Sequence, residues 1–303
     1  MTLYRHRKKI LWLNTELFLM RGFQYIPSSI GLECLMFPIN WYTRVIRANP
    51  VRAVAIGQVE IEHTGGRILW ALDLSHQEKM LSANLLDNLA VEAGLRGLHF
   101  LAAAVSKDEY TYEVLFNAGY SPSVWQKIWQ YKTDFQTDNP LGYKWRKVRP
   151  SDLLSINLLQ NKLLSPNERT IVPPANKKPP AFVLFHEETV CGYAYVMTAP
   201  DKILITPIIE SEIPFTVSVI NILVRKFFRH TPVYYLVQTS SQRWIETALA
   251  DQIVLIQPRH EIMVKHLAVH DKNLASNFNH SRSKRHTDIV TPIIKTNGYE
   301  DNI

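Results

Sequence analysis

Two kinds of apolar pattern succeed one another along this chain, and the succession occurs twice. Arg52–Ile56 and Gln58–Glu62 alternate as short strands do, His63–Gly66 reads as a turn, and Arg67–Leu74 reads as a third strand. A helix of about Lys79–Ala93 follows, with Leu81, Leu85, Leu86 and Leu89 on one face and Gly94 and Gly97 at its end. Leu98–Val105 is apolar almost throughout, the composition of a strand covered on both faces. Asp108–Ala118 reads as a helix that stops at Gly119, and Val124–Tyr131 as a closing strand.

The same order returns at a shift of 135 residues, where Gly57–Ile61 falls on Gly192–Val196 and Arg67–Leu69 on Lys202–Leu204. Ala181–His186, Thr189–Thr198 and Lys202–Ile209 are expected strands, Pro214–Phe228 a helix, Pro232–Gln238 a strand, Arg243–Ala250 a helix and Ile262–Val269 a last strand. Lys144–Arg149 and a helix near Leu153–Leu164, capped by Ser151 or Asp152, precede them. Identity between the copies is low, so order and spacing carry the repeat. The expected division is 1–135 and 136–270, with a polar linker at about Thr133–Tyr143 and a polar, basic tail at 271–303 that reads as disordered. Ile10–Met20 reads as one amphipathic helix, with Ile10, Leu11, Leu13, Leu17 and Leu19 on its apolar side. Asn14, Thr15 and Glu16 interrupt it too early for a secretion signal.

Composition narrows the class. The chain has 303 residues and is 46% hydrophobic, ample for two ordinary domains with real cores. It lacks the run of about 20 apolar residues that a spanning helix needs, so no membrane is expected. Cys34 and Cys191 are far apart, which suits a reducing cytoplasm and argues against a disulfide framework or a cysteine-based zinc site; no metal is expected. The net charge of +7 owes part of its excess to Arg5–Lys9 and Arg282–Arg285. Such basic ends allow a nucleic-acid partner, but no basic stripe interleaved with aromatics and no zinc-finger spacing supports one.

Three strands, a helix, a strand, a helix and a closing strand is the order of the GNAT acetyltransferase fold. Gly94–Leu98 resembles that family's helix end, and Phe116–Tyr120 its helix-terminating Ala-Gly-Phe signature. Lys147–Asp152 resembles its opening strand and helix, and Met263–Val269 the closing strand of tandem relatives. The resemblance covers roughly residues 45 to 270. It implies an α/β (α+β) architecture of two tandem GNAT-like domains, each a mixed twisted sheet flanked by helices. It also implies transfer of an acetyl or acyl group from acyl-CoA to the amine of a small molecule or peptide.

The implied chemistry makes few demands. The CoA pyrophosphate needs backbone N–H donors at a helix N-terminus, the thioester carbonyl a hydrogen-bond donor, and the amine and leaving thiolate a base and an acid. The family's pyrophosphate loop, Gln/Arg-x-x-Gly-x-Gly/Ala, falls on Gln77–Ser82, where Gln77 fits but Met80 and Ser82 replace glycines. Lys79, Ser82 and the first helical N–H groups remain phosphate candidates, with Leu81 between them; the competing reading is a plain helix start with Leu81 in the core. Leu72 and Leu74, flanking Asp73 at the end of the third strand, are assigned to the cofactor, because there the family's strands splay to admit the thioester. In the second copy Glu210–Phe215 has neither glycine nor Gln/Arg, and Pro214 removes a donor, so that copy is expected not to bind CoA in the family's way.

The family's acid, a Tyr four residues before the signature glycine, is Leu115 here. Tyr112 is the substitute, or else a partly buried aromatic. Asp73 is the candidate base, with His76 beyond it. Glu60 and Glu62 share one face of their strand, which either lines a cleft or meets solvent. Two functions therefore stand open: an acyltransferase working through the first copy, and a non-catalytic GNAT-like protein that binds a ligand or partner.

Overall fold

The computed structural model describes residues 9–21, 41–47, 53–73, 82–107, 109–132, 142–172, 174–178, 180–211, 213, 216–227 and 233–268. The first half contributes β1 (Leu11–Trp12), α1 (Thr15–Arg21), β2 (Trp41–Arg47), β3 (Ala53–Glu62), β4 (Gly65–Asp73), α2 (Ala83–Leu95), β5 (Phe100–Val105), α3 (Tyr110–Asn117) and β6 (Ser121–Tyr131). The second contributes β7 (Tyr143–Lys147), α4 (Leu153–Leu163), α5 (Pro166–Ile171), β8 (Phe182–His186), β9 (Thr189–Ala199), β10 (Lys202–Ile209), α6 (Thr216–Arg225), β11 (Val233–Thr239), α7 (Trp244–Ala248) and β12 (Ile253–His266). β2 through β6 and β8 through β12 follow the same order, including the β3–β4 and β9–β10 hairpins, while α5 has no counterpart among the described residues of the first half. The expected tail lies outside the described residues.

Helix and strand limits follow local chemistry. α2 begins where Ser82 accepts from the Leu85 N–H, and it buries Leu85, Leu86, Leu89, Ala90 and Ala93 against the sheet. Each fully buried leucine contributes roughly 1.5–3 kcal/mol. α3 ends at Gly119, whose φ of +83° is a conformation that favours glycine. The expected pair Arg52–Ile56 and Gln58–Glu62 is the single strand β3, since Gly57 stays paired with both Arg44 and Ala71. The last strand starts nine residues earlier than expected, at Ile253, and crosses register shifts at Leu255–Gln257 and Gln257–His260 that its apolar pattern does not signal.

The chain's start departs most from expectation. Ile10–Met20 is not one helix. Leu11 and Trp12 are extended and pair antiparallel with Ala71 and Trp70. The helix starts only after Asn14, whose Oδ1 accepts from the Leu17 N–H at 3.0 Å. The polar residue that interrupts the apolar run is a helix cap.

The described strands form one sheet, in the order β2-β3-β4-β5-β12-β6-β11-β10-β9-β8-β7, with β1 against β4. The closing strands are exchanged. β12, from the second half, pairs with β5 of the first; β6, from the first half, pairs with β11 of the second. β6 and β12 pair with each other along the centre. One apolar core gathers around α2 in the first half and another around α6 in the second. No helix among the described residues is long and apolar enough to cross a membrane.

Candidate functional site

Two places on this frame have the character of a site: the groove where β4 and β5 part, and a cavity between the halves. β4 and β5 run parallel but pair only from Gly65–Phe100 to Arg67–Ala102. Beyond that point they diverge, and each loses its neighbour's backbone groups. The segment Leu11–Leu13 lies between them. Besides the Leu11–Ala71 and Trp12–Trp70 pairs, the Leu13 N–H donates to the Leu69 carbonyl at 3.0 Å. On the other side the Ala104 N–H donates to the Leu13 carbonyl at 2.8 Å. Ile10 and Leu13 are almost fully buried beside it. The pairing lost at the divergence is restored by the chain's own N-terminal segment.

This bears on the expected cofactor residues. Leu72 and Asp73 are buried on β4, directly after the Trp70 and Ala71 that pair with Trp12 and Leu11. Ser82 is the N-cap of α2, and its Oγ accepts a helical N–H rather than presenting it to a ligand. Leu74, Gln77, Lys79, Met80 and Leu81, and with them His76, lie outside the described residues. Tyr112 is half-buried and packs on the first-half core beside the fully buried Leu115. Between β4 and β5 the backbone of Leu11–Leu13 occupies the place an extended ligand would take.

In the second half β10 and β11 pair from Lys202–Val233 to Ile205–Leu236 and then also part. The Ile209 N–H donates there to Oε1 of the buried Gln242. Thr206 and Thr239, on the two parting strands, face a cavity of about 360 Å³. Its walls come from both halves: Glu60, Glu62, Arg67 and Gln126 from the first, with Glu16 and Leu17 of α1, and Glu168, Lys178 and Tyr195 among those from the second.

Charge in the cavity is unbalanced. Four carboxylates (Glu16, Glu60, Glu62, Glu168) face two cations, Arg67 and Lys178. Glu62 bridges Arg67 at 2.9 Å and Lys178 at 3.2 Å, which ties the halves together. Burial opposes its charge, but the two cations more than offset this and hold its pKa below the ordinary range. Burial likewise opposes the Arg67 charge, while Glu62, Glu16 and Glu60 raise its pKa overall. Glu168 is spoken for: its oxygens accept from the Ser165 N–H and hydroxyl and from the Ser240 hydroxyl and Ser241 N–H. Burial again opposes the charge, and these donors lower the pKa. Glu16 makes no ion pair among the described residues, although its charge is felt by Arg67.

Gln126 adds a neutral polar side chain to the wall. Val124, Gln126 and Ile128 share one face of β6 by alternation, and Ile128 packs with Met20 and Leu204 on the cavity side. Gln126 is 7% exposed and lines the cavity. Sequence reading placed Glu60 and Glu62 on a shared face and left its exposure open; the structure turns both toward the cavity. It missed Glu16, Arg67, Gln126 and Lys178. Only Gln126 carried a local signal, as a polar residue at an inward position of an apolar strand.

No protein-family model matches the sequence, and no curated protein matches it. Solved structures share its fold. A GCN5-related N-acetyltransferase from Sphaerobacter thermophilus aligns over 87% of this chain and 98% of its own, at 11% identity and a TM-score of 0.50. A tandem GNAT protein from the clavulanic acid biosynthesis pathway, solved without AcCoA, aligns over 86% and 98%, at 12% identity and a TM-score of 0.51. The architecture is therefore that of two tandem GNAT-like units in a mixed α/β fold. At these identities the likeness reaches the fold and stops there.

Proposed function

We propose that this protein binds a small amine in the cavity between its two halves, and that it does so as a GNAT-fold binding protein rather than as an acyltransferase working through its first half. One observation carries the reading: a cavity walled from both halves that holds more carboxylates than cations, with the mostly buried Gln126 on its wall. A protonated amine supplies a positive charge for Glu16 and N–H donors for the Gln126 carbonyl. The filled β4–β5 groove supports the non-catalytic side of the reading.

Calorimetry and thermal shift with n-butylamine, putrescine and agmatine test it. At least one is expected to bind, with binding weakened about tenfold by Glu16→Gln or Gln126→Leu and reduced by salt. Absence of heat and of any Tm shift for all three at about 10 mM would rule out amine binding.

A second reading, an acyl-CoA-dependent N-acyltransferase acting through the first half on a small-molecule or peptide amine, is favoured by one feature. β4 and β5 part beyond Arg67 and Ala102, as a groove for an extended donor requires. Titration with acetyl-CoA separates the two readings. Binding below millimolar together with acetyl transfer to an amine overturns the non-catalytic reading.

A further inference from the structure

We infer that the cavity between the halves selects a monoamine with an apolar body over a diamine, with the ammonium at Glu16 and the body against the floor that β9 and β10 form. The inference rests on the amine-binding reading and names the class of amine.

The first ground is how the charges of the cavity are already spent. Glu62 takes up both cations, Arg67 at 2.9 Å and Lys178 at 3.2 Å. Glu168 accepts from Ser165, Ser240 and Ser241. Glu60 is engaged within the protein. Glu16 adds to the field around Arg67 but makes no ion pair of its own among the described residues. The excess of carboxylates on the wall therefore reduces to one place for one positive charge.

The second ground is what surrounds that place. Met20 lies one helical turn beyond Glu16, on the same side of α1. It is buried in one cluster with Leu204, and Met197 packs against that cluster. Met197 and Leu204 are cross-strand partners on β9 and β10. Both line the cavity, as do Leu17 and Val196. α1 packs across these two strands, and the Lys202 Nζ donates to the Leu19 carbonyl at 3.1 Å, which pins the end of the helix on β10.

An ammonium at Glu16 thus has methyl and thioether groups beside it on the β9–β10 side. An alkyl chain laid there gains by leaving water. A second ammonium laid there gives up its hydration with no carboxylate to receive it. Pockets that hold small molecules commonly share this division, a mostly apolar lining with few polar groups that fix orientation.

The test is calorimetry on the full chain with n-butylamine, n-pentylamine, n-hexylamine and putrescine. n-Pentylamine and putrescine are equally long and differ at one end, a methyl group against an ammonium. n-Pentylamine is expected to bind about tenfold or more tightly than putrescine, and n-hexylamine about tenfold more tightly than n-butylamine. Met197→Gln keeps the shape of the side chain and makes it polar, and is expected to bring the hexyl-to-butyl ratio down to about threefold or less. The heat-capacity change of binding to the unmutated protein covers the case in which that variant does not fold: it is expected to become more negative with each added CH₂. Glu16→Gln is expected to weaken the whole alkyl series by one common factor.

Two results overturn the inference at different points. Putrescine binding as tightly as n-pentylamine, or one affinity and one heat-capacity change across the alkyl series, refutes the apolar-bodied class while amine binding stands. No heat from any of these amines at about 10 mM removes the amine reading itself, and this inference with it.

Discussion

Gly65 opens β4 where the Phe100 ring of β5 lies across it. A Cβ placed there would stand 2.0 Å from the ring's Cζ, and Phe100 is itself buried with Ala102, Val124 and Ile262. The ring cannot swing aside within that cluster, so Gly65→Ala is expected to cost about 1–3 kcal/mol, read as a lower urea midpoint with an unchanged slope. In sequence this glycine is only the end of a turn; its contact partner lies 35 residues on in the chain. His260 poses the residue-scale question in charge. It is buried, its Nδ1 lies 3.5 Å from the Pro258 carbonyl, and its Nε2 has no partner among the described residues. Burial lowers its pKa, against the opposing pull of the Pro258 carbonyl, Glu16 and Glu261. With the folded value below the ordinary 6.5, the unfolded chain takes up the proton first as pH falls. The contribution is therefore fully present above pH 6.5 and is lost as pH falls toward the folded value. In His260→Leu, the slope of Tm against pH between about 6.5 and 5 is expected to flatten. A slope equal to the parent's would place that titration elsewhere.

At the scale of elements, the periodic helices and the alternating strands were readable because their cause is local: one face of each must be covered. α2, β4, β5 and β10 lie where their patterns place them, to within a few residues. The start of the chain was misread for an equally physical reason. Ile10–Met20 fits a helical face as a pattern, but Asn14 caps the helix from within it, and the residues before the cap find a better position as a strand. Asn14→Ala is expected to destabilise the protein by about 0.5–2 kcal/mol and to raise exchange across residues 15–21 more than elsewhere. Equal exchange in that helix before and after the change would show that the cap is not what holds its start. The candidate catalytic pair divides at this scale too. Asp73 is buried on β4, while Tyr112 sits against the core as an aromatic does, and neither lines the cavity.

At the scale of the molecule, the exchanged closing strands tie the halves together. β12 fills the space beside β5 and β6 the space beside β11, so each half lacks an inner strand without the other. Thermal unfolding is expected as a single transition with calorimetric and van't Hoff enthalpies in agreement. A chain cut between residues 135 and 136 is expected to yield pieces that are unstable apart and regain native spectra when mixed. Two separate transitions, or two independently folded pieces, would refute this coupling.

The repeat, its element order and the buried character of β5 were determined by the sequence itself, because spacing and apolar pattern act over a turn of helix or a few residues of strand. Only the tertiary structure decided which strand lies beside β5, that Leu11–Leu13 enters the gap next to β4, and that Glu16, Glu60, Glu62 and Gln126 line one cavity. Those outcomes depend on pairings between residues far apart in the chain. A strand's own pattern states which face is to be buried and leaves the choice of neighbour to the competition among all the edges the chain presents.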